Sequence, residues 1–415
     1  MTETASRAVP IDREDERLST SAGIRGAIQE ALNRIRGGDV GSLPVVVGVA
    51  IIFAIFQILN SFFLSAANLV DLAADSVAVG TISIGIVLVL LVGQIDLSVG
   101  SMSGVASTIL GVGMIVHGWP VWLALAVGLA AGLVTGAIYG GIYVLFSVPS
   151  FVITLAGLLA LLGFQLKLLG TNGSINIPFD NFIVRFTQQM FVPRPMAYVL
   201  AAVVAVVYLV FVLARIRRRK VNDLSAPSLV GALIKFVALL VALEFICWYL
   251  NKDRGIPAPF VMFVVLVVGM NYLLTRTRWG RAVFAVGGSV EAARRAGIKV
   301  NRVYISVFVL CSVFAALGGL LAAGRLASAS ISSGTGDVNL DAIAAAVIGG
   351  TSLFGGRGSA QSALLGILVI EAIASGLNLL NLDSSIRFMI TGGVLVLAVV
   401  VDSLSRRSRA AHGTA

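Results

Sequence analysis

The stretch Trp119-Pro120-Val121-Trp122-Leu123-Ala124-Leu125-Ala126-Val127-Gly128-Leu129-Ala130-Ala131-Gly132-Leu133-Val134-Thr135-Gly136-Ala137-Ile138-Tyr139-Gly140-Gly141-Ile142-Tyr143-Val144-Leu145-Phe146-Ser147 contains no charged side chain. Hydrocarbon cannot satisfy free backbone N–H and C=O groups, so a segment this long and apolar reads as a helix crossing a bilayer, for which roughly 20 residues suffice. Further apolar blocks lie at 44–64, 75–93, 100–117, 149–169, 196–214, 228–250, 257–275, 303–324, 341–355, 359–380 and 386–402. Composition agrees: 58% of residues are hydrophobic, 12% are charged, and the mean hydropathy is +0.99. Soluble domains carry roughly 25% charged residues. The expected fold is an all-α, polytopic transmembrane bundle of about 10–12 spans. It is framed by an N-terminal arm at 1–43 and a tail at 403–415, with the membrane domain at 44–402. The short block at 341–355 and the Gly-rich one at 75–104 are candidates for re-entrant or broken segments.

The net charge of +10 is not a nucleic-acid footprint, because the basic residues sit in the gaps between apolar blocks. Arg215, Arg217, Arg218, Arg219 and Lys220 fill one gap; Arg276, Arg278, Arg281, Arg294, Arg295, Lys299 and Arg302 fill another. With the N-terminus placed inside, most of the 30 Lys and Arg fall on the inner side, so both termini are expected in the cytoplasm. The first block begins near Leu43, too late for a cleaved signal peptide. Residues 1–42 read as a solvated arm with a helix over 23–35; contact of Arg25, Arg34 and Arg36 with membrane lipid is the alternative. Cys247 and Cys311 lie in apolar blocks as buried thiols, and His117 and His412 are too few for a metal cluster.

The sequence excludes several chemistries. It has no phosphate-binding Gly-x-x-x-x-Gly-Lys-Ser/Thr loop, no His-Glu-x-x-His, no Cys-x-x-Cys and no nucleophile elbow. No catalytic residue, metal or cofactor is expected. Among charges inside or beside spans, Glu244 and Glu371 read as interior residues that find a hydrogen bond, and Lys235 lies too far along its helix from Glu244 to pair with it. Asp96 stands in a Gly-rich break between Gly93 and Gly100. Gly128, Gly132, Gly136 and Gly140, with Gly141, form a row at spacing four that reads as a helix-packing face. Two loops stand out. The stretch 170–195 is polar, with Thr171, Asn172 and Asp180. The stretch 275–302 is basic; Ser289 caps a short helix there, Glu291 sits in its first turn and Gly297 ends it. A weak repeat relates Gly93–Gly100 to Gly349–Gly356, as expected of transporters built from two halves.

Three stretches resemble the permeases of ribose-, arabinose- and xylose-type ABC importers: Gly93-Gln94-Ile95-Asp96-Leu97-Ser98-Val99-Gly100-Ser101, the loop from Gly280 to Ile298, and Gly349-Gly350-Thr351-Ser352-Leu353-Phe354-Gly355-Gly356-Arg357-Gly358-Ser359. Their order is the family's over roughly residues 60–400. The resemblance implies a multi-pass protein of the bacterial cell membrane that imports a monosaccharide. It further implies a second permease copy, an ABC ATPase subunit that binds the ATP, and an extracytoplasmic sugar-binding protein. Gly280, Arg281, Gly287, Gly288, Ser289, Glu291, Ala292, Ala293, Arg294 and Gly297 then carry coupling to the ATPase. Asp96, Ser98, Gly100, Ser352, Gly355 and Gly356 belong to the family motifs and the translocation path. Thr171, Asn172 and Asp180 are expected to dock the binding protein. The added pair of spans at 196–250 is closest to the xylose or multiple-sugar branch. An ion-coupled carrier, and a nucleoside or autoinducer permease of the same superfamily, are the alternatives.

Overall fold

The computed structural model describes residues 43–400 except 223, 225–227, 384, 387, 395, 398 and 399. The expected arm at 1–42, its helix at 23–35 and the tail lie outside the described residues. The chain divides into two compact units, a larger one at 43–191 and 256–400 and a smaller one at 192–255.

The larger unit opens with α1 (Leu43–Leu59), α2 (Ala66–Leu91), α3 (Val99–Gly111, continued by a π turn at Val112–Val116), α4 (Val121–Phe146) and α5 (Ser150–Leu169). A strand β1 (Ser174–Asn176) and the short α6 (Phe182–Val184, with a π turn at Arg185–Gln189) follow. After the smaller unit, which holds α7 (Arg194–Val221) and α8 (Leu229–Leu250), come α9 (Ala258–Arg276), α10 (Arg278–Gly288), α11 (Val290–Arg295) and α12 (Val300–Leu326). Strand β2 (Ser328–Ser330), α13 (Val338–Ile348) and α14 (Gln361–Leu379) complete it, and residues 388–394 are again helical.

Helices α2, α3 and α12 form the core, and α4 and α5 pack outside them with most of their surface exposed. The row of glycines explains how α4 approaches α12. A Cβ on Gly132 would stand 2.6 Å from the Ser312 carbonyl oxygen, and one on Gly140 would stand 2.7 Å from Ile305 Cα. Gly141, one residue off the row, has no neighbour within 4 Å. Without a water-driven hydrophobic force between helices, such backbone contact supplies the dispersion energy of association. The row is a packing face, as its spacing predicted.

The smaller unit contains α7 (Arg194–Val221) and α8 (Leu229–Leu250), an antiparallel pair. Ala197, Ala201 and Ala205 make the buried row of α7, and the Cys247 thiol donates to the Ala197 carbonyl at 3.6 Å. At the end of α8, Lys252 Nζ sits 3.9 Å from the Trp248 ring centroid. An ammonium over an indole face suits a membrane interface, where one end of the pair is wet.

Among the described residues, nine helices are long and apolar enough to span a membrane. Several expected boundaries are corrected. The block 75–93 is only part of α2, which begins at Ala66. There Asn68 Nδ2 donates to the Phe63 carbonyl, while Asp71 and Asp75 face Arg325 at 3.5 and 2.8 Å. Polar residues satisfied in this way extend the helix beyond its hydropathic edge. The block 196–214 likewise continues through Arg215–Lys220 to Val221, since charge ends an apolar run without ending a helix. The block 44–64 stops at Leu59, where Asn60 Nδ2 turns to the Leu379 carbonyl at 3.0 Å. The block 341–355 covers the end of α13, a helix of only 11 residues that begins at Val338, and then a glycine-rich loop. It is a broken segment, and the other suspect, 75–104, is two helices separated at 92–98.

Candidate functional site

The basic loop after α9 folds into two short helices. Ser289 Oγ accepts from the Ala292 amide at 3.3 Å and caps α11, Glu291 lies in the first turn, and Gly297 follows with φ +79°. These are the cap, dipole partner and stop that the sequence indicated. The second helix, α10, went unread. Its signal is present in Thr277, whose Oγ1 accepts from the Gly280 amide at 3.1 Å, and in the apolar positions Val283 and Val286, which are buried. Trp279 Nε1 donates to Ser306 Oγ at 2.9 Å, which fastens α10 to α12.

The two helices divide their residues between two directions. Ala293, expected among the coupling residues, is buried in the chain's own core. Arg278, Arg281, Gly288, Ser289, Glu291, Ala292, Arg294 and Ala296 are exposed. Arg295 reaches Glu291 at 3.7 Å, an exposed i,i+4 pair worth little.

Behind this surface lies a junction of three glycine-rich segments. The Gly356 amide donates to the Leu91 carbonyl at 2.8 Å. A Cβ on Gly287 would overlap that same carbonyl and stand 2.6 Å from Gly356 N. One on Gly355, whose φ is +85°, would stand 2.9 Å from Gly93 N and 3.0 Å from the Gly287 carbonyl oxygen. The end of α10, the break after α2 and the loop after α13 thus meet backbone to backbone. The two halves of the weak internal repeat touch here, with the exposed helix pair attached to both.

The first break is tied down by Asp96. Its Oδ1 accepts from the Ser98 amide at 2.8 Å and from Ser98 Oγ at 2.7 Å. The neighbouring amides of Ile95 and Leu97 donate to Ser150 Oγ and Thr154 Oγ1, each at 3.2 Å, so α5 holds the same turn from outside. Asp96 and Ser98 are buried, Tyr139 and Cys311 lie beside them, and Gly100 opens α3 immediately after. Ser352 is buried too; its amide donates to the Arg357 carbonyl at 3.0 Å and its Oγ accepts from Phe354 N at 3.3 Å. The structure therefore places Asp96 and Ser98 in one pinned turn and Ser352, Gly355 and Gly356 in another. We expect Asp96→Ala to lower stability by about 1–3 kcal/mol and Asp96→Asn, which keeps the accepting oxygen, to lower it less. Thermal unfolding of the detergent-purified protein checks this.

The segment 170–191 lies at the opposite end of the unit and is only partly a loop. β1 pairs with β2 through Ser174–Ser330, Ile175–Ala329 and Asn176–Ser328, and Ile175, Ile183 and Val184 are buried. Thr171 and Asp180 remain exposed.

Residues 68–399 match the family model described as branched-chain amino acid transport system / permease component. The chain belongs to this permease family. It is 33% identical over 370 residues to the xylose transport system permease protein of Escherichia coli (strain K12), covering 88% of this permease and 93% of that one. It is 32% identical to the xylose transport system permease protein of Haemophilus influenzae, covering 88% and 96% of the two chains. Against the ribose import permease protein of Bacillus subtilis (strain 168) identity is 33%, covering 88% and 94%. No solved structure matches the permease. The resemblance carried by the three motifs is borne out, and the permease is a multi-pass protein of the cell membrane.

Proposed function

We propose that the permease imports a monosaccharide, xylose or a related pentose or hexose, and that a separate ABC ATPase subunit drives it. The observation that carries this reading is the exposed α10–α11 pair attached through Gly287 to both glycine-rich breaks. A pair of short, capped helices is rigid enough to be pushed, and its junction reaches the two places where membrane helices are interrupted. The substrate class comes from the relatives, whose names specify xylose and ribose transport over nearly their whole length.

In this reading both termini and α10–α11 are cytoplasmic, and a second copy of the chain completes the transporter. A sugar-binding protein docks at the other end, where Thr171 and Asp180 are exposed. The permease itself is not an enzyme: ATP binds the partner subunit, and the purified chain alone gives no ATP turnover. Uptake of labelled pentoses and hexoses tests the reading, in a strain lacking its own pentose importers and supplied with permease, ATPase and binding protein. Uptake of at least one monosaccharide that depends on all three is expected. No uptake of any would overturn it.

A further inference from the structure

The segment from Ser328 to Asn339 reads in sequence as an ordinary polar loop after α12. In the structure it runs back along α3. Ala329 lies against Gly111, Ser333 against Gly104, and Gly334 against Gly100, the last two so closely that a Cβ on Gly104 would overlap the Ser333 carbonyl oxygen and one on Gly100 that of Gly334. From Gly111 to Gly100 is roughly 16 Å along a helix axis, about half the hydrocarbon thickness. The Gly100 amide donates to Asn339 Oδ1 at the deepest point.

One flank of this descent is fully engaged. Gln165, buried on α5, donates through Nε2 to the carbonyls of Ser330 and Ser333, each at 3.0 Å, and the Ile331 amide donates to the Gly173 carbonyl at 3.1 Å. The other flank carries hydroxyls. Ser332 is exposed and Ser330, Ser333 and Thr335 are partly so, with the Ser330 and Ser332 oxygens 2.8 Å apart. Non-helical backbone at membrane depth is tolerated only where protein buries it or where it lines a water-filled cavity. A partly exposed row of hydroxyls on such backbone suits a water-filled surface better than lipid tails.

We propose that Ser330, Ser332, Thr335 and Asn339 line the translocation path and recognise a neutral polyhydroxylated solute through hydroxyl and amide hydrogen bonds. This rests on the reading of the permease as a monosaccharide importer. The side chains fit such a cargo, since they offer both donors and acceptors and no fixed charge at those positions. The path thus runs along the segment from Ser328 to Asn339, beside α3.

Cysteine accessibility in the assembled transporter tests the assignment. Ser332→Cys and Thr335→Cys are to be treated with a membrane-impermeant, sulfonate-bearing thiosulfonate reagent, against the buried native Cys247 and Cys311 as background. Val206→Cys, on an exposed apolar face of α7, is the lipid-side control. We expect both path variants to label, the control to stay unlabelled, and labelling to lower D-xylose uptake roughly tenfold or more. The double variant Ser332→Val/Thr335→Val should lose uptake to a similar degree while co-purifying normally with the ATPase. Either path position resisting the reagent in a transporter that takes up sugar normally, or full uptake after labelling, would overturn the proposal. Protection in the assembly with labelling of the dispersed permease would assign the segment to a contact between copies instead. Labelling in an assembly that moves no monosaccharide would leave the water-lined path standing and reject the cargo.

Discussion

Replacing Gly287 by valine should abolish assembly of an active transporter, through damage to the chain itself. Even a single Cβ there would overlap the Leu91 carbonyl and crowd Gly356 N, and both are backbone atoms that cannot swing aside. Overpacking against fixed backbone costs on the order of 3 kcal/mol, and here it also breaks the hydrogen bond from the Gly356 amide to Leu91. The adjacent Gly288 has nothing within 4 Å of its Cβ position and is exposed. Gly288→Trp should therefore leave the permease folded and monodisperse but reduce co-purification of the ATPase, because the indole projects into the proposed docking surface. Size-exclusion profiles and pull-down of the ATPase separate the two variants. Equal behaviour of both would show that the junction and the docking surface are not distinct.

The second large effect is expected at Gly136. Its Cβ position lies 2.5 Å from both the Phe308 carbonyl oxygen and Val309 Cα on α12, between the equally close approaches at Gly132 and Gly140. Gly136→Leu has to push α4 off α12 along its whole length, which forfeits the backbone contact that joins shell to core. We expect loss of most folded protein at equal expression, read by fluorescence-detected size exclusion. Gly141→Leu, with open space at its Cβ, should retain a normal profile.

The contrast between Gly136 and Gly141 was half visible in the sequence. Spacing four selected the packing row, but Gly141, counted with it in the sequence, lies one residue off it and meets nothing within 4 Å. The spans at 119–147 and 149–169 agree with the helices Val121–Phe146 and Ser150–Leu169 to within two residues, because the first run carries no charge and the second only Lys167 in its last turn. Hydropathy failed where polar residues find partners inside the helical register, as Asp71 and Asp75 do with Arg325. It failed again where a helix stops inside an apolar run, after Ile348.

The candidate site divides in the same way. The cap of α11 depends on residues three apart and could be read directly. That Gly287, Leu91 and Gly356 share one point is a contact across the whole chain, which no local pattern encodes. The descent of Ser328–Asn339 was hidden for a related reason. A polar stretch between apolar blocks looks like any surface loop until Gly100 and Gly104 are seen to leave room for it.

The most direct measurement is uptake of labelled D-xylose and D-ribose into proteoliposomes containing the permease, with the ATPase, the binding protein and ATP each omitted in turn. Uptake is expected only when all are present, with none when a proton or sodium gradient replaces ATP. Gradient-driven uptake by the permease alone would contradict that expectation.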